Sequence, residues 1–165
     1  MNSPNIVDPA AGGPGGRSTC ALVESTHIGE GCRFGAFSHV MAGCELGAQV
    51  DVGSHVVIEP GARIGNRVRI GHGVRVAGSV VLEDDVCVDA QVAFEGPDED
   101  LGGAGGRRSS IVVRQGARIR AHATLCDGVR IGPRARIQAG TVVRRDIPSL
   151  AIVEGHPARI SGYVD

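Results

Sequence analysis

Every sixth residue from Leu22 to Phe94 is large and apolar: Leu22, Ile28, Phe34, Val40, Leu46, Val52, Ile58, Ile64, Ile70, Val76, Leu82, Val88 and Phe94. A second column, four residues further on, holds small or β-branched side chains, from Thr26, Cys32, Ser38 and Cys44 to Val80, Val86 and Val92. A period of six excludes an amphipathic helix and a simple alternating strand, whose side-chain periods are about 3.6 and 2. It fits short extended segments joined by corners. Gly follows the large residue at Gly29, Gly35, Gly47, Gly53, Gly65 and Gly71, where a residue without a side chain tolerates a tight corner. One such coil cannot bury its own large residue, so stability must accumulate by stacking coils roughly 4.8 Å apart. Only 2% of the residues are aromatic and 26 of the 165 are glycine, which suits an interior too narrow for large rings.

The period breaks once. Glu95 to Ser110 (EGPDEDLGGAGGRRSS) has no inward column, and the repeat resumes as Val113, Ile119, Leu125, Ile131, Ile137 and Val143. Ala117, Ala123, Val129, Ala135 and Thr141 then fill the small column. Phe94 and Val113 are nineteen residues apart, one more than a multiple of six. A loop over 95–112, thrown out of one corner while the coils continue beneath it, accounts for the shift. A loop of that length in a compact domain is usually functional or disordered. The chain therefore predicts a Gly/Pro-rich flexible tail over 1–20, one stacked domain over 21–147, and a segment over 148–165 that caps the last coil, whose open edge would otherwise invite pairing.

The formal net charge of −1 offers no bulk attraction to nucleic acid or to an anionic membrane surface. No apolar run approaches the length of a spanning helix. Residues 1–17 lack a basic region followed by an apolar core, so no secretion signal is expected and a cytoplasmic location is the default. Five cysteines occur without a C-x-x-C pair and are expected as reduced thiols, Cys32 and Cys44 within the small inward column.

The hexad pattern is the hexapeptide-repeat signature and resembles the left-handed parallel β-helix. That resemblance implies an all-β fold of triangular section, three hexads per coil and about six coils. The segments FGAFSHVMAGCELG, VVIEPGARIGNRVRI and VVLEDDVCVDAQVAF, then IVVRQGARIRAHATLCDGVRIGPRARIQAGTVVRRDIPSLAIVEGHPAR beyond the loop, resemble one branch of it. These are the N-acetyltransferases that act on nucleotide-linked 3-amino sugars. The LEDDV segment, the loop position and the AGTVVRRDIP…GHPAR ending are its most specific parts. The resemblance implies a homotrimer, with acetyl-CoA lying between adjacent helices and the amino-sugar acceptor at the same interface. Two departures fall on positions that face the acceptor in the family. Gly71, His72 and Gly73 replace an Asn-containing turn, and Glu95 to Glu99 replaces an Asn followed by Asn-Pro-Arg.

Arg144 and Arg145 fall where the family's CoA-contacting basic residue lies, and the guanidinium is well matched to phosphate. The small corner at Ala139 and Gly140 admits a pantetheine arm to the backbone, and Pro157 of the same ending is assigned to the cofactor site with them. His55 and His72, seventeen residues apart, fall on the same kind of corner in successive coils. Gln91 and then His122 follow if the loop replaces one hexad, giving a polar column up one edge. Within it His72 and His122 are the catalytic candidates, because imidazole titrates near neutrality and can take a proton from an amine. His55 and Gln91 are assigned to acceptor binding, together with Glu95 at the loop and His39, which matches a family His. His156 stands where the family usually has Asn and reads as a capping contact. No metal is expected: a γ-type carbonic anhydrase needs two His ligands five residues apart, and no such pair occurs.

The outward positions before the large residues carry Arg63, Arg69, Arg75, Arg118, Arg130 and Arg136. They predict a solvated surface that blunts lateral aggregation. Some of them are placed to meet a nucleotide diphosphate, and the sequence does not single out which. The leading reading is an acetyl-CoA-dependent N-acyltransferase for an amino sugar, with no nucleic-acid or membrane partner. The other is a non-catalytic trimeric β-helix with a degenerate acceptor site.

Overall fold

The structure is a computed structural model that describes residues 5–7, 20–96 and 110–165. The expected tail, apart from the strand Asn5–Val7 and Cys20, and residues 97–109 of the expected loop lie outside the described residues. The fold is a left-handed β-helix of about seven coils. Most strands are two residues long, the first residue turned outward and the second buried. Eighteen residues return the chain to the same face, as in the parallel registers Arg69↔Asp51 and Arg69↔Cys87. The first face holds the strands that begin at 39, 57, 75, 93, 124 and 142, the second those at 27, 45, 63, 81, 112 and 130, and the third those at 33, 51, 69, 87, 118 and 136. The core is a single column of aliphatic side chains, Ile58, Leu82, Ile119, Leu125, Ile131 and Ile137 among them.

The corners explain why so few residue types fill the repeat. Gln49, His55, Arg67, Asp85, Gln91, His122 and Arg134 take left-handed backbone angles, with φ from 56° to 61°. Each such residue costs about 1–2 kcal/mol outside glycine. The corner amide offsets it by donating to the coil before, as Gln91 N–H does to His72 O at 3.0 Å.

One further ladder runs between the second and third faces. Ala48 N–H donates to Asn66 Oδ1 at 2.9 Å, and Asn66 N–H donates to Asp84 Oδ1 at 2.8 Å. These bonds, led by the Asn66 amide, hold the Asp84 carboxyl below its ordinary value of 3.8. A depressed carboxylate contributes stability above its unfolded value and loses it as pH falls through the lower folded value. Thermal melts of Asp84→Asn should therefore show a slightly lower midpoint at neutral pH and a shallower fall below pH 3.8. Parallel acid limbs in the two proteins would contradict this.

Four sequence expectations change. Leu22 points outward while Ala21 and Val23 are buried, because the first coil is one residue short: Leu22 pairs with His39, seventeen residues on. Ser25 rather than Thr26 then turns inward, donating from Oγ to Cys44 O at 2.6 Å. The ladder extends through Glu95, whose N–H donates to Leu125 O at 2.9 Å, and Ile111 is already buried on the far side. Glu95, Ile111 and Val112, at the two ends of the expected 95–112 loop, thus belong to the coils, and the Leu82↔Val113 pairing keeps the stack in register past the break. Finally, the segment after Pro148 first adds another rung. Ala151–Glu154 pairs in parallel with Arg136–Ile137, burying Ala151 and Val153, and only then folds back as Arg159–Tyr163.

Candidate active site

The edge between the third and first faces collects most of the residues singled out above. His55, Gly73, Gln91, His122 and Gly140 donate their amides in turn to Ala36, Ser54, His72, Ala90 and Ala121 of the coil before. His55, Gln91, His122 and Gly140 therefore share one left-handed corner position in different coils. His72 and Ala139 sit one residue earlier, at the equivalent of each other. One coil separates His122 from Gly140, roughly 4.8 Å of rise, and two separate His122 from His72, roughly 10 Å.

The two histidines differ in what their rings can do. His72 Nδ1 accepts the N–H of Ser54 at 2.9 Å, so the neutral ring keeps its proton on Nε2 and presents a donor to the outside. His72 does there what Asn66 does at the neighbouring corner. His122 is exposed, and among the described residues neither of its ring nitrogens has a hydrogen-bond partner. It alone of the two offers a free lone pair. His55 lies further along the edge, its ring tilted 35° against Phe37 with centroids 5.3 Å apart. Phe37, 64% exposed in a left-handed corner, carried no sequence signal beyond being an aromatic in a turn position.

His39 and Glu95 do not join this group. His39 sits in the first full coil, four rungs or roughly 19 Å from His122, and pairs with Glu24 at 3.0 Å. Glu95 lies across the first face at its other corner. There it forms an outward column with Cys126 and Arg144 of the next coils. Burial, and then the Glu95 carboxylate, push the Cys126 thiol up to about 11. It is a protonated thiol at neutral pH and a poor nucleophile. Cys44, buried in the core, is likewise pushed up to about 11.

Across the C-terminal end of the first face, from beside the Gly140 corner to the opposite one, a cleft of about 390 Å³ is lined by Val142, Arg144, Arg145, Ile147, His156, Pro157, Ala158 and Arg159. Val142 follows the Ala139–Gly140 corner, and its N–H donates to Gly155 O at 3.3 Å, which folds the terminal hairpin over the opening. Arg144, Arg145 and Pro157, three of the five residues assigned to the cofactor, are gathered here. Ala139 and Gly140 are at the approach to it, and a Cβ on Gly140 would meet no atom within 4 Å. Arg159 is a third guanidinium that sequence reading missed, although it ends the GHPAR segment. The floor is apolar, the rim carries three arginines, and among the described residues no carboxylate lines the cleft. Such a surface suits an aromatic ring and a linear chain below, with phosphates above. Among the described residues no group of three His, Cys, Asp or Glu side chains is placed to hold a metal ion. No helix among them is long and apolar enough to cross a membrane.

Residues 25–60 match the bacterial transferase hexapeptide repeats. Over 53 residues the chain is 49% identical to dTDP-3-amino-3,6-dideoxy-alpha-D-galactopyranose 3-N-acetyltransferase of Aneurinibacillus thermoaerophilus, covering 32% of this chain and 28% of that protein. A perosamine N-acetyltransferase from Caulobacter crescentus, solved as a mutant with CoA and GDP-perosamine, superposes with a TM-score of 0.71 at 25% identity, covering 81% of this chain and 58% of that one. Serine acetyltransferase from Brucella abortus with coenzyme A superposes with a TM-score of 0.56 at 29% identity, covering 66% and 42%. The chain spans less than two thirds of each of these relatives.

Proposed function

We propose, from the premise that this chain is a left-handed β-helix of transferase hexapeptide repeats, that it moves an acetyl group from acetyl-CoA to the amine of a nucleotide-linked amino sugar. One observation carries this reading: the exposed imidazole of His122 stands a single rung from an open corner that leads into an arginine-rimmed, apolar-floored cleft. Arg144, Arg145 and Arg159 hold the donor's phosphates through charge-assisted bonds. The Ala139–Gly140 corner lets the pantetheine arm lie against the backbone and brings the thioester beside His122. The acceptor amine attacks the carbonyl carbon, the C–N bond forms, the C–S bond breaks and coenzyme A leaves. His122 takes the proton that the amine gives up. Cys126, held as a thiol, gives no support to an acyl-enzyme, so transfer is direct. His72 contributes its Nε2–H as a donor to the acceptor rather than acting as a base.

A homotrimer in a cytoplasmic setting completes the proposal. The edge is open to solvent in one chain, and a neighbouring copy set against it would exclude water from the reacting atoms. Likeness to serine acetyltransferase keeps a hydroxyl acceptor in view, and pairing amino sugars with their hydroxy analogues separates the two.

Titration calorimetry with acetyl-CoA tests the donor half. The Arg144→Gln/Arg145→Gln protein is expected to bind at least about 30-fold more weakly than the parent, the loss of two charged hydrogen bonds worth about 1.5–3 kcal/mol each when partly screened. No binding by the parent protein at millimolar acetyl-CoA would favour a non-catalytic scaffold instead.

A further inference from the structure

The third face ends on an open edge. Parallel strands run from Arg33–Phe34 to Ala151–Glu154, and the last strand, Arg159–Tyr163, is added antiparallel with no further strand beyond it among the described residues. At five residues it is the longest strand described, where most have two. A long bare edge presents a row of unpaired N–H and C=O groups, which proteins usually shorten, charge or cover. Here it carries two of the three exposed large hydrophobic residues among those described: Ile160 is 46% exposed and Tyr163 60%. Their placement depends on a bulge. The register passes from Ile152↔Gly162 to Val153↔Ile160, so Ser161 is the extra residue, and its Oγ donates to Ile152 O at 3.4 Å. Paired residues share a side of the sheet, so Ile160 follows Val153 and Tyr163 follows Ala151, both of which are buried. In a regular strand, positions three apart would point to opposite sides. The bulge therefore sets Ile160 and Tyr163 together on the core-facing side of the edge.

We propose that this edge is covered by the same strand of a second copy of the chain, paired antiparallel about a two-fold axis between Ser161 and Gly162. That register sets Ile160 of each strand opposite Tyr163 of the other, so the exposed apolar residues cover one another twice on the core-facing side. Ser161 then stands opposite Gly162, small against small, at the axis. Charge selects the direction. Arg159 and Asp165 are the only charged residues from 159 to 165 and lie at opposite ends, so the arginine end of each strand meets the aspartate end of the other. A parallel pairing would stack arginine on arginine, which is unfavourable. A two-fold contact of this kind closes on itself and leaves no edge free for further addition. The pairing does not depend on the acyltransferase reading: a homotrimer would join through it into six copies, a single chain into two.

Native mass spectrometry and hydrogen exchange on the full chain test this. The parent should hold an even number of copies, six or two, with the amides of 160–163 slow to exchange and faster on dilution. Ile160→Lys/Tyr163→Lys sets lysine against lysine across the axis and should halve the mass. It should keep the circular dichroism of the parent, since both side chains are exposed in one chain. Asp165→Arg brings arginine to arginine at both ends of the joint and should weaken the pairing about 10-fold or more. Arg159→Asp/Asp165→Arg, which restores opposite charges, should recover it. The inference is overturned if the parent holds an odd number of copies, if the Ile160/Tyr163 variant keeps the mass of the parent, or if the amides of 160–163 exchange freely in the parent. Slow exchange that persists in a lone trimer or a single chain would mean that something other than a second copy covers the edge, and overturns it as well.

Discussion

His122→Ala is expected to lower kcat for amide formation about 10²-fold, the usual contribution of a positioned general base, with acetyl-CoA affinity unchanged. The side chain is exposed and bonded to no described residue, so its loss should not disturb the fold, and the melting temperature should stay where it was. His72→Asn is the matched control. Asn at that corner can accept the Ser54 N–H as Asn66 accepts that of Ala48, so the backbone stays satisfied while the outward donor changes. It should raise KM for the acceptor and spare kcat. Stopped turnover in His72→Asn together with full turnover in His122→Ala would reverse the assignment.

Gly71→Ala is expected to cost about 3 kcal/mol of stability, at the upper end of what overpacking does. A Cβ there would lie 2.4 Å from Ala90 N and 2.5 Å from Asp89 C. Both obstacles are backbone atoms of the next coil, fixed by their own ladder, so relief requires prising two coils apart. The same substitution at Gly140 meets open space and pays only for its φ of +70°, about 1–2 kcal/mol. Denaturant titrations of the two proteins compare them directly. Equal losses would mean that close approach of coils does not explain the glycine column.

The fold was legible because burial in a thin solenoid admits one arrangement of residues. Each strand offers a single inward large residue, so the core is written into the chain at every sixth position. The phase break was legible for the same reason, from the extra residue between Phe94 and Val113, and the Leu82↔Val113 register carries the coils past it. Leu22 misled because a coil short by one residue changes which side faces in, and nothing local to Leu22, Val23 and Glu24 marks the omission. The polar edge was legible as a set, since residues about eighteen apart stack. The roles within it were not. The tautomer of His72 depends on the amide of Ser54 in the preceding coil, and the side-chain-free neighbour of His122 is Gly140, which holds the same corner position one coil on. His39 and Glu95 share sequence cues with the edge residues, yet one lies four coils away and the other across a face. Arg159 enters the C-terminal cleft only because the terminal hairpin turns back over Val142.

The most direct test mixes the protein with acetyl-CoA and a nucleotide-linked 3-amino sugar and follows both release of the coenzyme A thiol and the mass of the sugar. Thiol should appear only when the amino sugar is present, in step with a sugar product heavier by one acetyl group and resistant to hydroxylamine as an amide is. Thiol release that ignores the amino sugar, or none with any amino sugar despite bound acetyl-CoA, would contradict the account.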